Sequence, residues 1–222
     1  MNDSMFRIAV VTQKSSWIVP YAEKLTQTLR QRGFTAFLYL HHRDVKEPVD
    51  IVFFLGYGRI VPGEFLSMHR HNLVIHESAL PRGKGWSPLS WQIIEGKNEI
   101  PITLFEAVEK VDSGKIYLQD TMKFEGHELI GELREIQGNK TIDLAVKFVD
   151  QYQDVVKNAR EQEGEESFFS RRRPEDSRLD PDQPIRDQFN LLRVVDNDRY
   201  PAFFTYKGHK YVLRISREEE GS

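Results

Sequence analysis

The stretch from Val74 to Pro88, VIHESALPRGKGWSP, follows an apolar run and places one histidine, one glutamate, two prolines and two glycines in a single turn. An imidazole titrates near neutral pH, so His76 at the end of a buried strand could give or take a proton, or hold a developing negative charge. Two other loops carry compatible chemistry. Glu109 to Gly114, EKVDSG, contains Asp112, which could orient a histidine or accept a proton through a water. Gly56 to Gly63, GYGRIVPG, has glycines that let backbone amides approach a planar ligand, although two glycines alone are a weak nucleotide signal. Spacing does not bring His76 and Asp112 together, and plainer readings stand beside each residue. Asp112 before Ser-Gly is also an ordinary turn residue. Trp86 and Trp91 also read as packing groups. His41 to Asp44, HHRD, reads as a solvated loop, because adjacent strand histidines diverge. The arginines of SRRRPED, Ser170 to Asp176, suit either a solvated face or a phosphate.

The elements that would position these residues follow from periodicity. MFRIAVVT, TAFLYL, VDIVFFLGY and NLVIH are continuous apolar runs of strand length, the pattern of a parallel sheet covered on both faces. YAEKLTQTLRQRGF has Tyr21, Leu25 and Leu29 at helical spacing and closes on Gly33. PGEFLSMHR predicts a short helix. SPLSWQIIEG predicts another, with Ser87 as N-cap, Pro88 at its first position and Gly96 past its end. EIPITLFEAV and GKIYLQDTMKF predict two further strands. The long stretch from His127 predicts one or two helices, broken or kinked near QGNK. Beyond residue 160 the chain turns charged and proline-bearing, then offers a short helix in PIRDQFNLLRVV and two strands around KGHK. The expected organisation is an α/β core over 1–160 and an arm with a small C-terminal α+β subdomain over 161–222.

Composition narrows the chemistry. The 222 residues include no cysteine, which excludes disulfides, thiolate metal sites and a cysteine nucleophile. A net charge of −3 gives no general reason to approach nucleic acid. No apolar window is long enough to span a bilayer and the N-terminus runs straight into a strand, so the expectation is a cytoplasmic chain with no membrane partner.

HESALPRGKGWSPLSWQIIEG followed by IPITLFEAVEKVDSGKIYLQ resembles the folate-dependent formyltransferases, whose signature is Asn-x-His-Pro-Ser-Leu-Leu-Pro, a glycine-containing segment, a helix, and a loop ending in Asp-x-Gly. His76, Ser78, Leu80 and Pro81 match the first part, Gly85 and Pro88 the second, and Asp112 and Gly114 the last. The resemblance covers about Met5 to Gln119, and weakly the C-terminal segments RRRPEDSRLD, FNLLRVV and YPAFFTYKGHK. It implies a Rossmann-like, mostly parallel sheet with helices on both faces. It implies formyl transfer from 10-formyltetrahydrofolate to an amine without a metal, with His76 stabilising the oxyanion and Asp112 orienting it and assisting proton removal. Gly58, Arg59, Ile60 and Val61 would meet the pterin, with Ala107, Val108, Val111 and Asp112 closing the other side. Two positions depart from the signature: Val74 stands where an asparagine is usual, and Glu77, where a proline is usual, would face the acceptor amine. Another donor such as Ser78 would then serve the oxyanion.

The resemblance is nearest to the sugar N-formyltransferases, which implies a nucleotide-linked amino sugar as acceptor, with a route to pseudaminic acid as the expected setting. Ser78, Lys84, Gly85, Trp86 and Ser87 would line the acceptor side, Arg193 would pair with diphosphate, and Tyr200 would pack on sugar or base. A homodimer through the C-terminal strands is expected. A catalytically impaired binding homologue and a methionyl-tRNA formyltransferase-like enzyme are the alternatives, the latter disfavoured by length and charge.

Overall fold

Four of the apolar runs pair side by side in a parallel sheet. In the computed structural model, which describes residues 6–218, these are β1 (Arg7–Val11), β2 (Thr35–Tyr39), β3 (Ile51–Phe54) and β4 (His71–His76). The first residues of the chain, Met5 included, lie outside the described part. Then β5 (Lys84–Gly85) precedes the two long strands β6 (Glu99–Glu106) and β7 (Ile116–Lys123), which continue the sheet antiparallel. The six-stranded order is β2-β1-β3-β4-β6-β7. The expected mixed α/β, mostly parallel Rossmann-like fold is what forms.

Alternation along the strands sends side chains to two different layers. Ile8, Val10, Phe53, Leu73 and Ile75 pack with α1 (Val19–Gln31) and α4 (Ile130–Asp150). Ala9, Val11, Val52 and Phe54 pack under α2 (Gly63–Ser67), through Phe65. Every residue of β3 is buried, as a strand covered on both faces requires. Helix α1 carries a proline in its first turn and ends against Gly33 at φ +92°, the asymmetry expected of helix ends. Ser87 precedes α3 (Pro88–Ile94), but its side chain makes no capping bond.

The stretch from Ile130 does not break near QGNK. Helix α4 runs through it, and the interruption comes at Gln151, before α5 (Tyr152–Lys157). The reason is steric: the Tyr21 ring of α1 lies where any side chain on Gly138 would go. That glycine permits close helix packing instead of ending the helix. HHRD also differs from expectation. His42 is 5% exposed and its Nδ1 lies 2.7 Å from the Tyr57 hydroxyl, with Phe65 edge-on to the ring.

The C-terminal part returns twice to the core. First, β8 (Phe168–Phe169) pairs parallel with β5. Second, α6 (Phe189–Arg193) and the hairpin of β9 (Ala202–Tyr206) and β10 (His209–Leu213) gather around Leu179, Leu192, Val195 and Ala202. Lys207 and Gly208 both have positive φ, the turn that matches the twist of a two-residue hairpin. No helix among the described residues is long and apolar enough to cross a membrane.

Candidate active site

His76 is the last residue of β4 and is 7% exposed. Its Nε2 is 2.8 Å from the carbonyl oxygen of Gly83. A carbonyl only accepts, so Nε2 carries a proton and Nδ1 is the ring atom left for chemistry. Asp112 arrives from the other direction. Because β6 is antiparallel to β4, Glu106 ends beside Leu73, and the loop after it must travel back along the sheet. It is pinned at its start by Ala107 N–H on Asn72 O, at 2.6 Å, and at its base by Glu106 N–H on Lys115 O, at 2.9 Å. A side chain at Gly114 would run into the Glu106 carbonyl. At the loop's far end, Asp112 adopts φ +51° and accepts the Gly85 N–H at 2.9 Å on its carboxylate. One short segment, Gly83 to Gly85, therefore holds the histidine by a carbonyl and the aspartate by an amide.

That segment is itself fixed from outside. Gly83 and Gly85 have φ of +73° and +98°, and a Cβ on Gly85 would lie 2.5 Å from Phe169 O, so glycine is required by conformation and contact alike. Lys84 N–H donates to Ser167 O at 2.9 Å and Trp86 N–H to Phe169 O at 3.1 Å. The Lys84 ammonium is enclosed and donates to Glu166 at 2.6 Å and Ser113 Oγ at 3.0 Å, so it ties this return strand to the Asp112 loop. Gln162 completes the clamp by donating to the carbonyls of Asp112 and Gly114 at 3.0 and 2.9 Å.

A third carboxyl stands close by. Glu77 accepts the Gln137 side-chain amide at 2.6 Å. Burial pushes its carboxyl above the ordinary value, partly opposed by the charge of His76 and reinforced by that of Asp112. Ser78 is 2% exposed, and its hydroxyl has no partner among the described residues. On the other flank, Ile60, Val108, Val111 and Trp86 leave apolar surface exposed at 82, 42, 58 and 41%. Trp86 lies against Gly58 and carries the Arg171 guanidinium 4.9 Å from its ring centre. Glu109 packs directly on Gly63, so the two loops touch. A cavity of about 490 Å³ opens between the start of α2 and Ala107–Glu109.

The formyl transferase family matches residues 8–140, more than half of the chain. The chain belongs to the formyl transferase family. A methionyl-tRNA formyltransferase from Pelotomaculum thermopropionicum is 27% identical over 199 residues, 87% of this chain and 61% of that protein. The chain thus spans about three fifths of that relative's length. HypX from Aquifex aeolicus, solved with tetrahydrofolic acid, shares the fold with a TM-score of 0.77 at 17% identity, over 95% of this chain and 37% of HypX. A sugar N-formyltransferase from Shewanella sp shares it with a TM-score of 0.65 at 18% identity, over 97% and 99% of the two chains.

Within this formyl transferase fold, some expected site residues sit elsewhere than their sequence suggests. Arg193 is not available to a diphosphate. It is fully buried, pairs with Glu128 at 2.9 Å and donates to Asn98 and Asn190. Arg172 of the RRR run is likewise turned inward, onto Val194 O and Ser177 Oγ at 2.8 and 3.0 Å. Lys84 lies beside the aspartate loop but its ammonium is already engaged. Tyr200 is half-buried, with its carbonyl on Ser177 Oγ at 3.2 Å, and the Arg199 next to it reaches Ser15 O at 3.4 Å in the loop after β1. Val74 is packed among Leu80, Phe105 and Ile116. Gln137, Gln162 and Glu166 had no local signal. Each acts through a partner at least 48 positions away in the chain.

Proposed function

We propose that the chain transfers the formyl group of 10-formyltetrahydrofolate to the amino group of a nucleotide-linked amino sugar. The observation that carries this is the Gly83–Gly85 segment, which presents the His76 imidazole and the Asp112 carboxylate from two sides of one site. For the folate, Ile60, Val108 and Val111 leave apolar surface exposed on the other flank, and a cavity lined in part by Val108 lies between α2 and Ala107–Glu109. HypX, which has the same fold, was solved with tetrahydrofolic acid, which supports a folate as the donor.

When bound, 10-formyltetrahydrofolate supplies an electrophilic formyl carbon, whose bond to folate N10 breaks as the bond to the acceptor nitrogen forms. As the imidazolium, His76 stabilises the charge that builds on the formyl oxygen, donating from Nδ1 while Nε2–H stays on Gly83. Asp112, held by the Gly85 amide, takes the proton the amine must lose, directly or through a water, and that proton passes to N10 as tetrahydrofolate leaves. Ser78 offers the hydroxyl donor that Val74 does not. Glu77 and Gln137 form the wall nearest the incoming amine. The Shewanella sugar N-formyltransferase, of the same fold, supports a sugar acceptor. Methionyl-tRNA is the second reading, because of the Pelotomaculum relative.

Incubation with 10-formyltetrahydrofolate and a panel of dTDP- and UDP-linked amino sugars, with methionyl-tRNA alongside, separates the readings by mass spectrometry. A sugar product heavier by one formyl group is expected. Formylated methionyl-tRNA alone would replace the acceptor, and tetrahydrofolate binding without any product would mark a binding protein.

A further inference from the structure

The HHRD turn after β2 carries a buried histidine that the formyl-transfer site does not use. His42 opens a short 3-10 turn, His42–Asp44, and the Tyr57 hydroxyl engages it twice. The Tyr57 oxygen accepts the His42 N–H at 3.1 Å and lies 2.7 Å from Nδ1 of the ring. With its oxygen taking that amide, the hydroxyl sends its hydrogen to Nδ1, so the imidazole is neutral and carries its own hydrogen on Nε2. Burial is the main cause that holds the ring below the ordinary 6.5. His41, Arg43 and Arg59 add to it, and Asp44 opposes them.

Tyr57 belongs to the Gly56–Gly63 loop, which has few other ties. From Tyr57 to Val61, no backbone group bonds to another backbone group among the described residues. Ser16 Oγ donates to Gly56 O at 3.5 Å, and Trp86 lies against Gly58. The Tyr57 ring packs on Phe54 and meets the His42 ring edge-on, with centroids 5.7 and 5.8 Å apart. From α2, Phe65 meets the same imidazole, with His69 against the Phe65 ring. The loop thus hangs on one tyrosine hooked to one histidine. Protonation at Nδ1 reverses the hook: the imidazolium donates, the hydroxyl hydrogen loses its acceptor, and the new charge repels Arg59 of the loop.

We propose that His42 and Tyr57 position the Gly56–Gly63 loop for the formyl donor, and that protonation of His42 releases the loop, so that donor binding weakens on acidification. Both are positioning residues, acting through the loop and not on the ligand. This rests on folate being the donor. The hooked loop requires a neutral ring, and the released loop takes the proton more readily. Affinity is therefore full at neutral pH and falls as pH drops through the folded His42 value.

The test follows two signals from about pH 7.5 to about pH 5 in wild type, His42→Asn and Tyr57→Phe, each checked by thermal unfolding. One is calorimetric binding of tetrahydrofolate. The other is tryptophan fluorescence without ligand, in which Trp86 reports the loop through its contact with Gly58 and Trp86→Phe identifies its share. Asparagine keeps an acceptor near the place of Nδ1 but does not titrate. His42→Asn should therefore bind close to wild type at neutral pH and at least about threefold more tightly than wild type at the acid end. Tyr57→Phe should bind roughly three- to tenfold more weakly at neutral pH, the size of one lost hydrogen bond, with a flatter profile. Wild type should show an acid step in Trp86 fluorescence that both variants lack. If Tyr57→Phe does not fold, the comparison of wild type with His42→Asn decides. Parallel binding profiles in those two, or a fluorescence step common to both, would overturn the proposal. The step in wild type alone, without tetrahydrofolate binding at any pH, would keep the hook and remove folate as the donor. Neither step nor binding would remove both.

Discussion

Val74 puts an isopropyl group where the formyltransferase signature carries an amide, and it is packed among Leu80, Phe105 and Ile116 with nothing to donate. Just past this strand end, the Ser78 hydroxyl is buried and unpartnered among the described residues. Loss of an oxyanion donor typically costs 10²–10³ in turnover, so Ser78→Ala should lower kcat by roughly that factor at little cost in KM. An unchanged kcat would assign the donor elsewhere. Glu77 carries a second residue-scale consequence. Burial raises its folded-state pKa above the ordinary 4.5, so the fold keeps a proton that the unfolded chain releases. Its contribution to stability is whole below about pH 4.5 and falls as pH rises through the folded value. The stability advantage of Glu77→Gln over wild type should therefore grow with pH in denaturant titrations. A constant difference between the two across pH would contradict the assignment.

At the scale of elements, the site depends on a two-residue strand held in place by another two-residue strand. Gly85→Ala would force Cβ against Phe169 O at a left-handed φ, a strain of about 1–3 kcal/mol. It should lower the unfolding midpoint and, by displacing the Gly85 amide from Asp112, cut turnover by more than the lost stability explains. Proportionate loss of both would argue that the strap only stabilises. The strands of the sheet, the β4 end and the Asp112 loop were legible in the sequence because apolar runs, turn residues and a known signature are local signals. The β5–β8 pairing was not, since it joins residues 84 apart with no periodicity to mark it. Gly138 misled for a related reason: a mid-helix glycine reads as a break, and only the Tyr21 ring across from it shows that it is a contact.

At the scale of the molecule, the C-terminal part is anchored through the interior and not merely laid on the surface. Arg193, which reads in sequence as a cation on a short amphipathic helix, is buried on Glu128. Breaking such a pair leaves a buried charge and costs about 3–5 kcal/mol. Arg193→Met should lose that much in equilibrium unfolding while leaving the acceptor KM of the folded fraction near normal. A selective rise in that KM would return Arg193 to the acceptor site. The return of residues 162–169 over the Asp112 loop makes the C-terminal part a structural component of the site formed by the core. The most direct measurement is the rate of formyl transfer from 10-formyltetrahydrofolate to the sugar acceptor found in the panel, for wild type, His76→Ala and Asp112→Ala under single-turnover conditions. Each variant should be slower by at least about tenfold, as expected for loss of an oxyanion stabiliser or a proton acceptor, with tetrahydrofolate still bound; near-normal rates in either would contradict the roles given to the strapped pair.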